Sequence, residues 1–229
     1  MCAEVVRIPK ASGDYPVALQ KYLADHAPGA IWAQGSPRLL QEKPLALLCS
    51  VKCPGNLILK TYDLARSLRD AGIPVISGFH SPMEKECLDL LLRGKQPVIA
   101  CAARRLTSSR LLTKFATPLK QGRLLFLSPF GPKVRRATAK TAVARNELVA
   151  ALADRVFVPY AGGASKTEAL CRKVLEWGKP LLTFDGSENH SLIALGATPC
   201  GSATLVAQGI CTKQRRKGRG IKCEDVLWE

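Results

Sequence analysis

A chain of 229 residues with 47% hydrophobic content can bury one sizeable core, and one or two domains both fit that length. No apolar run approaches the ~20 residues of a membrane span, and the start, MCAEVVRIPKASGDY, lacks the pattern of a secretory signal, so a cytoplasmic protein with no membrane partner is expected. The net charge of +16 is concentrated: Leu90 to Asn146 carries thirteen Lys or Arg and no acid, and Lys213 to Lys222 adds six more.

Nineteen of the 34 basic residues therefore lie in two stretches, leaving fifteen against all eighteen acids. Charge clustered in this way is a footprint for polyanions, nucleic acid first, set against the plainer reading of a solvated basic surface. Aromatics make up only 6%, so stacking platforms would be few. The nine cysteines are odd in number and several (Cys49, Cys87, Cys101, Cys171) fall within core elements, which points to reduced thiols. Cys49 and Cys53 have no matching pair or histidine cluster, so neither a metal nor a cofactor is expected.

In chain order, residues 1–44 read as an extension packed on the core, with YPVALQKYLADHAPGAIW as a short helix and turn. Residues 45–200 alternate short apolar runs with helical patterns. LALLCSV, IPVISGF, QPVIACAA, RLLFLSPF, RVFVPYA and KPLLTFD read as six strands. Helices fall between them: one on Leu57, Leu64 and Leu68, one opening at Pro82, a poorer one near Phe115, a long one in ATAKTAVARNELVAALAD, and one after Ser165. Strands apolar on both faces and alternating with helices predict an α/β fold: a Rossmann-like, doubly wound, mostly parallel sheet with helices on both faces. Residues 201–229 form a basic carboxyl-terminal tail, expected to be flexible.

In such a sheet ligands bind outside the carboxyl ends of the strands. Those ends carry CSVKCPGN with Ser50 and Lys52, SGFHSPME, SPFGPKVRR and the turn GGASKTE. Glycine turns and helix starts bind phosphate because several N–H donors converge and the helix dipole adds to them. Within GGASKTE, Ser165 and Glu168 fit a capping box in which the glutamate reaches back to the serine N–H. Capping leaves Gly162, Gly163 and Lys166 unexplained, and a bound anion accounts for them; the P-loop pattern is absent. His80 has no evident carboxylate or nucleophile partner, and Glu84 and Glu86 project about 100° apart on their helix, so neither marks a catalytic pair.

Taken together, DYPVALQKYLADHAPGAIWAQGSPRLL, LALLCSVK, GIPVISGFHSPMEKECLDLLL, SPFGP, ARNELVAALAD and GGASKTEAL resemble, in order and spacing, the Rossmann domain of the DNA-processing protein A (Smf) family, over about residues 14 to 200. The resemblance implies single-stranded DNA binding, loading of a recombinase onto that DNA during natural transformation, and homodimer formation. It maps the family's Gly-Ser-Arg onto Cys49, Ser50 and Lys52, its Ser-Gly onto Ser77 and Gly78, its Arg-Asn-Arg onto Arg145, Asn146 and Glu147, and its second glycine turn onto Gly162 through Thr167. Glu147 replaces an arginine, and no counterpart of the family's frequent winged-helix module is expected from these residues. The expected phosphate- or DNA-binding set is Ser50, Lys52, Ser77, Gly78, Arg145, Asn146, Gly162, Gly163, Lys166 and Thr167, approached through Arg135, Arg136 and the tail. The partner is single-stranded DNA or a nucleotide phosphate. A related phosphoribohydrolase would need Pro-Gly-Gly-x-Gly-Thr and a glutamate two residues on, which residues 162–168 do not supply, so no catalytic residue is expected. A nucleotide sensor is the other alternative.

Overall fold

The computed structural model describes residues 4–107 and 113–201; the basic tail lies outside the described residues. The chain opens with β1 (Val5–Pro9), α1 (Val17–Leu23) and β2 (Ala30–Gly35). It continues through β3 (Leu45–Leu47), α2 (Gly55–Asp70), β4 (Val75–Ser77), α3 (Pro82–Leu92), β5 (Val98–Cys101), α4 (Thr113–Lys120) and β6 (Leu124–Ser128). The last part holds α5 (Ala139–Leu152), β7 (Arg155–Phe157), α6 (Lys166–Glu176), β8 (Leu181–Thr183), α7 (His190–Leu195) and β9 (Thr198–Pro199).

Among the described residues nine strands join one sheet in the order β1-β2-β6-β5-β4-β3-β7-β8-β9. From β6 to β9 every pair is parallel, while β1–β2 and β2–β6 are antiparallel. The six strands read from the sequence are all present. Residues 5–9 and 30–35 add an antiparallel ribbon where only helix and turn were expected.

Because side chains alternate along a strand, each parallel strand feeds two cores. Leu45, Leu47, Val75 and Val98 pack with Leu57, Leu64 and Leu68 of α2 and Leu88 and Leu91 of α3. Ala46, Leu48, Ile76 and Ile99 pack on the opposite face with Leu148 and Val149 of α5 and Leu170 and Val174 of α6. Burial of each such leucine or valine stabilises the fold by roughly 1.5–3 kcal/mol, and it is this two-sided burial that makes the sheet doubly wound.

Helix ends follow local chemistry. Ser81 caps α3 by accepting from Glu84 N–H, Glu84 returns the bond to Ser81 N–H, and Pro82 takes the first position, where no donor is needed. Thr138 and Thr141 form the same reciprocal pair at the start of α5. Helix α6 ends at Gly178, whose φ of +67° suits glycine, and the following Lys179 inserts its ammonium among the carbonyls of Ala150, Ala151 and Ala153. No helix among the described residues is long and apolar enough to cross a membrane.

Candidate nucleic-acid interface

Strand β3 pairs with β4 on one side and β7 on the other, and the chain then winds outward in both directions. The loops leaving β3 and β7 therefore diverge and open a crevice at the carboxyl edge, the position where open α/β sheets bind ligands. A cleft of about 490 Å³ occupies it. That volume falls in the roughly 300–1,000 Å³ range of small-molecule sites and exceeds what a lone phosphate needs.

The two loops are stitched together through Ser50. Its N–H donates to the Tyr160 carbonyl at 3.1 Å, and its hydroxyl accepts from Gly162 N–H at 3.2 Å and lies 3.5 Å from the Ser165 hydroxyl. One wall is the start of α6, where Lys166 and Thr167 line the cleft; first-turn N–H groups have no intrahelical acceptor and carry the positive end of the dipole. Lys52 and Lys166 are exposed at the rim.

Arg145 of α5 supplies a buried cation. The residue is 5% exposed, and its guanidinium donates from Nη1 to the Cys101 carbonyl at 3.0 Å and from Nε to Asn146 Oδ1 at 2.7 Å. Burial pushes its pKa down from the ordinary arginine value, and the nearby charge of Glu84 works the other way. The guanidinium lies over Gly78: a Cβ there would overlap Arg145 Nη1 and Cζ. Gly78 thus serves as the bed of the arginine.

Of the twelve residues expected from the sequence, Ser50, Lys52, Arg145, Asn146, Gly162, Lys166 and Thr167 line this one cleft. Gly78 sits beneath Arg145, and Ser77 is fully buried with its hydroxyl accepting from Phe79 N–H at 3.3 Å. Gly163 is exposed in the adjoining turn, and Arg135 and Arg136 are exposed in the loop between β6 and α5; these three do not line the cleft.

The opening of α6 departs from the expected capping box. Ser165 accepts from Glu168 N–H at 3.1 Å as expected, but the Glu168 carboxylate reaches one residue further back, to Ala164 N–H at 2.8 Å. The reason is that Ser165 N–H already donates to the Gly162 carbonyl at 3.2 Å. The left-handed conformation also falls on Ala164, at φ +53°, and on neither glycine. An added Cβ at Gly163 would meet nothing within 4 Å, and at Gly162 only the Tyr160 ring at 4.0 Å. The backbone itself demands neither glycine, and both leave open surface beside the cleft.

Tyr160, Cys49, His80 and Glu84 also line the cleft and were not in the expected set. Tyr160 was discoverable, since it lies near the carboxyl end of the run RVFVPYA, two residues before the glycine pair. Glu84 spends its carboxylate on the N–H groups of His80 and Ser81, at 2.9 and 3.1 Å, as the cap of α3. Glu147, where the resemblance implied an arginine, pairs with Lys173 of α6 at 2.7 Å, so its negative charge is matched. The arrangement offers lysine, guanidinium and helix-start donors around a nucleotide-sized space, the chemistry of an anion site.

Comparison with known proteins agrees with this architecture. Among solved structures, DNA processing protein A from Streptococcus pneumoniae superposes with a TM-score of 0.74 at 20% identity, over 90% of this chain and 74% of its own. The Helicobacter pylori protein of the same name gives 0.71 at 17% identity, over 92% of this chain and 97% of its own. The molybdenum cofactor binding protein from Rippkaea orientalis shares the fold more distantly, at 0.52 and 11% identity, over 74% of this chain and 98% of its own. No curated protein matches the sequence. The sequence profile of DNA recombination-mediator protein A matches residues 7–209, most of the chain's length, and the chain belongs to that family.

Proposed function

We propose that this protein acts in DNA processing by binding single-stranded DNA, with the sugar–phosphate backbone held in the cleft at the β3–β7 switch point, and that it does so without catalysing a reaction. The observation that carries this is the convergence of Lys52, Arg145, Lys166 and the start of α6 on one nucleotide-sized cleft. Family membership supports the DNA-processing role, and the similar Helicobacter pylori protein has a described single-stranded DNA binding mode. In this reading Ser50 and Gly162 hold the two loops in register, Gly78 seats Arg145, and Asn146 fixes its orientation through the 2.7 Å bond. The family's designation as a recombination mediator supports a strand-exchange recombinase as recipient of the bound strand; a homodimer is proposed on the family resemblance alone.

The test is fluorescence anisotropy with a labelled single-stranded oligonucleotide. Lys166→Glu removes one positive charge and adds a negative one at the rim, and is expected to weaken binding by about tenfold. Unchanged affinity would reduce the turn to a helix start. Release of free base from a nucleoside monophosphate would replace the binding role with a hydrolytic one.

A further inference from the structure

The carboxyl edge of the sheet carries a second concavity, of about 430 Å³, over the β1–β2 ribbon and the loops that follow β5 and β6. We propose that this groove is a base-stacking site for single-stranded nucleic acid, taking a second stretch of the strand whose phosphates the cleft holds. The proposal rests on the reading of the cleft given above.

Two aromatic and two arginine side chains define the groove: Trp32, Phe130, Arg7 and Arg105. Arg7 is directly opposite Trp32 in the β1–β2 register, so the two share the outer face of the ribbon while Ile8 and Ile31 face the core. Trp32 in turn pairs with Ser128, the last residue of β6, which places the indole at the sheet's carboxyl edge. The indole lies close against Gly131: a Cβ there would come within 2.9 Å of two ring atoms. Glycine at 131 therefore lets a half-exposed indole approach the loop closely.

The walls are fixed in advance. Arg105 donates from its backbone N–H to the Val134 carbonyl at 2.9 Å and from Nη1 to the Pro132 carbonyl at 3.3 Å. The Ser128 hydroxyl donates to the Arg104 carbonyl at 2.7 Å and accepts from Phe130 N–H at 3.0 Å. These bonds tie Arg104 and Arg105 to residues 128–134, at the end of β6 and in the loop after it, which lowers the ordering cost of binding at that wall.

Charge selects the occupant. Both loops belong to the stretch from Leu90 to Asn146 that holds thirteen basic residues and no acid. Aromatic faces beside guanidinium groups match stacked bases joined by phosphates, and every base presents a π-face, so the site needs no sequence code. Three strand spacings separate β3 from β6, about 15 Å, a gap that a few nucleotides span. Arg135 and Arg136, which the cleft leaves out, are exposed on the connection from the groove's Pro132 to α5 of the cleft, the stretch of chain that joins the two sites.

The experiment compares thymidine oligomers of about four and about twenty nucleotides, near the lower bound of single-strand footprints and above their usual range, with the full chain. Binding of the longer oligomer is expected to quench indole fluorescence, and Trp32→Phe to remove most of that quench while keeping binding. Trp32→Ala and, as a second variant, Phe130→Ala are each expected to weaken the longer oligomer about tenfold and to leave the shorter one unaltered. Wild-type affinity for the longer oligomer in both alanine variants overturns the groove and leaves the cleft standing. Equal weakening of both oligomers also overturns it, because a general structural effect would then explain the loss. A wild-type protein that binds neither oligomer overturns the cleft reading and the groove with it.

Discussion

At the scale of single residues, the cleft depends on a buried guanidinium with a fixed seat. Arg145 is held by Cys101 and Asn146, and Gly78 gives it room. Gly78→Ala would force the guanidinium off the Cys101 carbonyl within a packed core. It is expected to destabilise the protein by about 1–3 kcal/mol, read as a lower midpoint in urea denaturation with unchanged slope. A midpoint equal to wild type would mean that the arginine moves freely and is no fixed part of the site. The sequence marked both residues, but on different grounds from those the structure gives. Gly78 was legible as a glycine at a strand end; its service to a residue 67 positions later depends on α5 crossing over β4, and no local pattern reports that. Ser50 was legible as a polar residue after a strand, while its role as a stitch to Gly162 requires the β3–β7 pairing. Trp32 and Phe130 were not singled out: Phe130 ends a run read as strand, and Trp32 ends the stretch read as helix and turn, so neither was seen as half of an aromatic pair.

At the scale of elements, the start of α6 shows how local rules and tertiary demands share one turn. The Glu168 carboxyl is held below the ordinary glutamate range, first by Arg172 at 2.7 Å and then by Ala164 N–H. A carboxyl with a lowered folded pKa contributes stability that is present above its unfolded value and is lost as pH falls through the folded one. Glu168→Gln is therefore expected to melt below wild type at neutral pH. The gap should close as pH drops well below the ordinary value of 4.5; a gap that persists there would show that the charge is not what holds the turn. Six of the seven parallel strands, all but the two-residue β9, and the major helices were readable because buried parallel strands are continuous apolar runs, and helices carry caps and stops. The ribbon of β1 and β2 was not. Its outer face is polar or half-exposed, its strands are short, and their register is fixed by β6, which lies about 90 residues along the chain.

At the scale of the whole molecule, the fold explains why residues scattered from Ser50 to Thr167 meet. The order of β6-β5-β4-β3-β7-β8 puts the reversal of winding between β3 and β7, so two loops 110 residues apart in sequence become the two sides of one cleft. Of the thirteen basic residues between Leu90 and Asn146, Arg104, Arg105, Lys133, Arg135, Arg136, Lys140 and Arg145 lie on the loops after β5 and β6 and on α5, on the side where the cleft opens, whereas Arg93, Lys95, Lys120 and Arg123 lie toward the amino ends of β5 and β6. Composition alone raised the expectation of a polyanion partner; only the topology shows that part of the charge shares an edge with the cleft. The claim that single-stranded DNA phosphates lie in that cleft is tested most directly by the salt dependence of binding in wild type and in the Lys52→Glu/Lys166→Glu double variant. Each phosphate contact on a single strand contributes about 0.7 to the slope of log affinity against log salt. The double variant is expected to bind more weakly and to show a slope shallower by roughly 1.4. Affinity and slope both equal to wild type would contradict the account.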